Sequence, residues 1–151
     1  MVERFERFSL SVFEIARCWR KLAAEELAPY GLKGGHAIYL TTLYRCEEGA
    51  TGPMLCELCG RDKSEVSRAV AVLQAKGFVT KEAVNRSLYR GLFKLTDQGR
   101  AAAEQLNSRA SLAVDLAGGG LTEQARRAFD RALCIITANL REISKKGLPP
   151  K

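Results

Sequence analysis

Residues 55–79, LCELCGRDKSEVSRAVAVLQAKGFV, decide how this chain is read. The stretch opens on Cys56-Glu57-Leu58-Cys59, the spacing of a zinc knuckle or a redox pair, and the residues after it give the pair a different setting. Two helices joined by a tight turn need a small residue where they cross, a turn residue that tolerates positive φ, and an aliphatic residue that locks the crossing. Cys56, Gly60 four residues on and Val66 six further on supply these, with Leu55, Val70 and Leu73 completing a small core. Asp62 is placed to cap the second helix, and Glu65 three residues later completes a capping box. Val66, Ala69, Val70 and Leu73 form its inner face, and Lys76-Gly77 closes it. On this reading Cys56 and Cys59 are both buried packing thiols.

The period changes after Gly77. Phe78-Val79-Thr80 and Leu88 to Leu95 read as strands around a turn at Asn85-Arg86-Ser87, a hairpin with a basic tip. A helix-turn-helix followed directly by a basic hairpin is a winged helix-turn-helix.

Working outward, Phe5, Phe8, Val12, Ile15, Trp19 and Leu22 recur in steps of three and four, a stripe on one long helix ending near Ala28-Pro29. A second helix runs from about Gly35 to Arg45. A loop over 47–52 follows, and Pro53 suits the first turn of a short third helix ending at Gly60. Thr96 caps a fifth helix to about Leu116, and Gly118-Gly119-Gly120 breaks it. Thr122 caps a sixth, with Phe129, Ala132, Leu133, Ile136, Leu140 and Ile143 in one stripe. A chain of 151 residues leaves much of such long helices uncovered, which suits packing against a second chain. The expected fold class is mainly α (α+β): a winged helix-turn-helix with a two-stranded wing and long N- and C-terminal dimerisation helices.

Charge points the same way. Residues 60–100 hold nine basic side chains against four acids, five of the formal +7. A positive field so concentrated favours a polyanion partner. The start, MVERFERFSL, reads as no signal peptide, and no apolar run reaches the ~18 residues of a membrane span. A cytoplasmic protein with no membrane partner is expected. Its five cysteines then read as reduced thiols.

Residues 55–79, with Leu95-Thr96-Asp97-Gln98-Gly99-Arg100 and Leu121-Thr122-Glu123-Gln124, resemble the MarR family of bacterial transcriptional regulators. The resemblance covers nearly the whole chain. It implies a single MarR-like chain over 1–151, with dimerisation helices at 1–33 and 101–146 and a DNA-binding lobe at 35–100. It also implies a homodimer on a pseudo-palindromic operator in double-stranded DNA, acting as a repressor and released by a small-molecule effector or an oxidant.

The helix from Asp62 to Lys76 is expected in the major groove, with Lys63, Ser64, Ser67 and Arg68 toward DNA. Arg68 is the best base reader, because its fork can contact guanine O6 and N7 together. Glu65 reads as a cap. Arg86 and Arg90 are the wing candidates for phosphate or minor-groove contact, with one of the two expected to make it. The family's effector region takes in Trp19, Tyr30, His36 and Arg45, each of which also has a plain core or surface reading.

A zinc site needs about four ligands. No second pair accompanies CxxC, so neither metal nor other cofactor is expected. Cys18, beside Arg17 and Arg20, is the candidate for an oxidant-sensing variant of the same regulator, since neighbouring cations favour the reactive thiolate. An enzyme is disfavoured by a single histidine and by the lack of a phosphate-cradling loop or an activated nucleophile. A winged-helix module that binds protein instead of DNA remains the other class, and the basic hairpin argues against it.

Overall fold

The computed structural model describes residues 2–84 and 87–150; for Val2 and for residues 87–90 only the backbone is described. The elements are α1 (Val2–Leu27), a 3-10 turn (Ala28–Tyr30), a second 3-10 turn (Gly34–His36), α2 (Ala37–Arg45), α3 (Gly52–Cys59), α4 (Lys63–Ala75), strands β1 (Val79–Val84) and β2 (Ser87–Leu95), α5 (Asp97–Ala117) and α6 (Glu123–Lys146). This is the expected winged helix-turn-helix with long terminal helices. Two compact units divide it, residues up to Ser111 and residues from Leu112 onward.

In the first unit α3 starts on Pro53, with Thr51 Oγ1 accepting the Met54 amide. Gly60 ends it at φ 61°, and α4 begins two residues later on the capping box. Asp62 Oδ1 accepts the Glu65 amide at 2.8 Å, and Glu65 Oε2 accepts the Asp62 amide at 3.4 Å. Val66, Val70 and Leu73 turn inward onto Leu40, Leu43 and Leu55. Leu27, Phe78, Ala102 and Ala103 extend the same core.

Several expectations are corrected. The helix anticipated from Gly35 opens as a 3-10 turn, with the α-helix beginning at Ala37. β1 runs on to Val84, and Ser87 belongs to β2 and not to the turn. The loop over 47–52 contributes to the sheet, because Ala50 and Phe93 exchange both backbone hydrogen bonds, at 3.0 and 2.8 Å. Cys59 is buried as expected, but Cys56 is only half-buried at the core's edge. Asn85 and Arg86 lie outside the described residues.

The step from wing to α5 is unusually close. Thr96 donates its hydroxyl to the Gly77 carbonyl at 2.6 Å and accepts the Gly99 amide at 3.0 Å, and the Thr96 amide bonds the Phe78 carbonyl. A Cβ on Gly99 would lie 2.0 Å from that Phe78 carbonyl oxygen. Only glycine lets α5 begin there.

At the other edge His36 Nδ1 accepts the Lys33 amide at 3.0 Å. Burial, helped by the Lys33 and Lys76 charges, holds this imidazole below its ordinary value. A protonated Nδ1 could not accept that amide.

In the second unit Gly118–Gly120 turns the chain, and Thr122 Oγ1 caps α6 by accepting the Ala125 amide. The Arg126 guanidinium donates to the Gly118 carbonyl at 2.9 Å, tying α6 back to the end of α5. No residue of α6 is buried within this chain, and Phe129, Leu133, Leu140 and Ile143 are all exposed.

Two outcomes follow from these contacts. Gly99→Ala forces the α5 start away from Phe78 and should cost about 3 kcal/mol, the upper part of the usual overpacking range; a urea midpoint unchanged from the parent contradicts the tight crossing. For His36 the folded-state value lies below the unfolded ~6.5, so the unfolded chain binds more protons as pH falls through that window, and stability falls with it. Cooling of the melting temperature between pH 7.5 and 5.5 should therefore be smaller in His36→Asn than in the parent, and parallel curves refute the assignment.

Candidate nucleic-acid interface

Helical periodicity sorts α4 into two faces. Val66, Val70 and Leu73 are buried, while Lys63, Ser64, Ser67 and Arg68 are all exposed. Positions i, i+1, i+4 and i+5 share one side of a helix. The four candidates on α4 therefore form one outer patch, starting at the helix N-terminus. Arg68 Nη1 donates to Ser64 Oγ at 2.5 Å, which fixes the guanidinium along this face.

Arg61, counted before only as charge, is a further cation here. It is exposed in the turn, with Nη1 3.6 Å from Glu65 Oε1. Glu65 thus serves the cap and this pair together. No positional pattern marked Arg61; only the charge count contained it.

On the wing, Lys94 pairs with Glu82 at 2.9 Å across the strands, and Lys81 Nζ sits 5.2 Å above the Phe93 ring. Both basic side chains are thereby held on the sheet. Arg86 lies outside the described residues, as does the side chain of Arg90, whose backbone is in β2.

The four effector candidates are not drawn into one cluster by hydrogen bonds among the described residues. Tyr30 packs edge-on to Phe78, ring centres 5.8 Å apart, and donates to Gln105 Oε1 at 2.7 Å. His36 bonds the Lys33 amide. Trp19 is half-buried on α1, and Arg45 is exposed at the end of α2. A nearby polar seam went unread in the sequence. Arg100 lies over the Tyr44 ring at 5.5 Å, and Tyr44 donates to Glu104 at 3.4 Å. Its partners lie some sixty residues apart, which periodicity cannot reveal.

Cys18 is exposed, and its Sγ faces Glu14 Oε1 at 3.8 Å. Arg17 is occupied by the same carboxylate at 2.5 Å and holds it below the usual carboxylate range. Burial pushes the Cys59 thiol up, and its Sγ lies 3.5 Å from Thr42 Oγ1.

The chain was compared with known proteins. Residues 30–86 match the model of the MarR family. A MarR transcriptional regulator from Methanosarcina mazei Go1 superposes with a TM-score of 0.82 at 22% identity, over 91% of this chain and 99% of that one. A MarR family transcriptional regulator from Listeria monocytogenes, complexed with 26mer DNA, gives 0.83 at 22% identity, over 93% and 95%. The MepR–DNA complex of S. aureus gives 0.78 at 17%, over 87% and 97%. No curated protein matches the sequence.

Proposed function

This chain carries the MarR family's winged helix-turn-helix, and from that premise we propose that it is a sequence-specific regulator of transcription, acting as a homodimeric repressor on a pseudo-palindromic operator and released by a small ligand. The observation that carries the reading is the outer face of α4, where Lys63, Ser64, Ser67 and Arg68 stand exposed while the opposite face anchors the helix in the core. Two of the similar structures contain DNA, which supports the same partner here.

α4 enters the major groove N-terminus first. Arg68 reads guanine through its fork, Lys63 and the serines fix register on phosphate, and the wing adds Arg86 or Arg90. The task is binding alone and calls for no cofactor and no bond-making step.

Pairing of two chains sets the spacing of two recognition helices. Support comes from apolar side chains on the terminal helices: Phe5 is 70% exposed and Ile135 is 62% exposed. Side chains this large and bare call for a cover, and a second copy offers one. The segments 1–33 and 101–146 serve as the dimerisation helices, and 35–100 as the DNA-binding lobe. The effector lies near Trp19, Tyr30, His36 and Arg45. No helix among the described residues is long and apolar enough to cross a membrane, and the chain is placed in the cytoplasm with its DNA.

Arg68→Ala should weaken operator binding by roughly 1–3 kcal/mol and relax base preference at one position, as read by gel-shift titration against operator variants. Binding of the parent to random duplex should fall steeply with salt, at about 0.9 of a logarithmic unit per phosphate contact. Unchanged affinity and selectivity in Arg68→Ala would remove Arg68 from base reading, and a flat salt response would remove DNA as the partner.

A further inference from the structure

The CxxC motif is left unused by the DNA-facing surface. Among the described residues no three His, Cys, Asp or Glu side chains gather to hold a metal ion. Cys56 and Cys59 remain as two thiols one turn apart on α3, the first half-buried and the second buried against Thr42.

Helical residues three apart have Cα atoms about 5 Å from each other, inside the ~4.4–6.8 Å range of disulfides. Their Cβ atoms are about 5–6 Å apart, whereas a disulfide needs ~3.5–4.5 Å. Closing the pair must therefore deform the last turn of α3. That turn holds the joint to α4: the Cys56 carbonyl accepts the Arg61 amide at 3.0 Å, and the Glu57 carbonyl accepts the Gly60 amide at 3.3 Å.

We propose that Cys56 and Cys59 are a reversible dithiol switch, in which peroxide closes a disulfide that disturbs the Gly60 turn and frees the protein from DNA. The release half rests on the DNA-binding reading above. The Cys56 thiolate attacks one peroxide oxygen, the O–O bond breaks, and hydroxide leaves as water with a proton from solvent. The Cys59 sulfur then attacks the resulting sulfenic sulfur. The S–O bond breaks, and hydroxide departs as a second water with the Cys59 proton. The two sulfurs lose two electrons and the peroxide gains them. The half-buried thiol is the one peroxide can reach, and the buried one resolves. Forming the bond also takes Cys59 from the Thr42 hydroxyl.

The test uses the full chain with exposed Cys18 and Cys134 both changed to Ser, treated with hydrogen peroxide. Trypsin releases a 46–61 peptide carrying Cys46, Cys56 and Cys59, whose fragmentation locates the cross-link. A Cys56–Cys59 bond is expected, with faster amide exchange at Gly60 and Arg61. Affinity for a random-sequence duplex at low salt should fall roughly tenfold or more, within the ordinary range of coupling between sites, and dithiothreitol should restore it. Cys56→Ser should form no bond and keep its affinity; being half-buried, it avoids the packing defect that Cys59→Ala risks. The proposal is overturned if the bond does not form, if it forms without changing turn exchange or duplex affinity, or if Cys56→Ser still responds. Should the reduced protein bind no duplex, the DNA-binding reading fails, and the cross-link with the turn's exchange rate still decides the switch.

Discussion

Gly60, at φ 61°, is the constraint on which the rest of the lobe depends. A side chain there would cost about 1–2 kcal/mol in the left-handed region. Because glycine occupies it, α3 stops within one residue and α4 starts two residues later on a complete capping box. The angle between the helices is then fixed by Leu55 and Val66, and fixing it puts Val70 and Leu73 inward. The outward position of Lys63, Ser64, Ser67 and Arg68 is a consequence of the same rotation. One local backbone choice thus sets both the packing and the surface that meets a partner.

The wing is anchored at both ends by backbone contacts. Ala50 clamps β2 through Phe93, and a Cβ on Gly49 would come within 2.8 Å of Lys94. Thr96 and Gly99 draw the end of β2 against the Phe78 carbonyl. Arg109 then bonds Glu26 at 2.9 Å, joining the first part of α5 to α1. The recognition helix is consequently a rigid part of its unit.

Much of this was legible because its causes are local. The Asp62–Glu65 box, Pro53, Gly60 and the Thr122 cap are read from residues within four positions of one another, and the α4 faces follow from the helical period. What was missed is non-local or turns on one neighbour. The Ala50–Phe93 bridge spans forty-three positions and leaves no periodic mark. The Tyr30–Gln105 bond and the Arg100–Tyr44–Glu104 seam are equally distant in sequence. The exposure of Cys56 depends on how closely α2 approaches α3. Beside Cys18 the sequence showed two arginines, but Glu14 one turn earlier takes Arg17 for itself.

The central claim is that two copies of the α4 face read one duplex together. Repeated selection of bound duplexes from a random pool tests it most directly. The account predicts enrichment of an inverted repeat whose half-sites lie about 10–10.5 base pairs apart, one helical turn. Enrichment of a single unpaired site, or no enrichment at all, would contradict it.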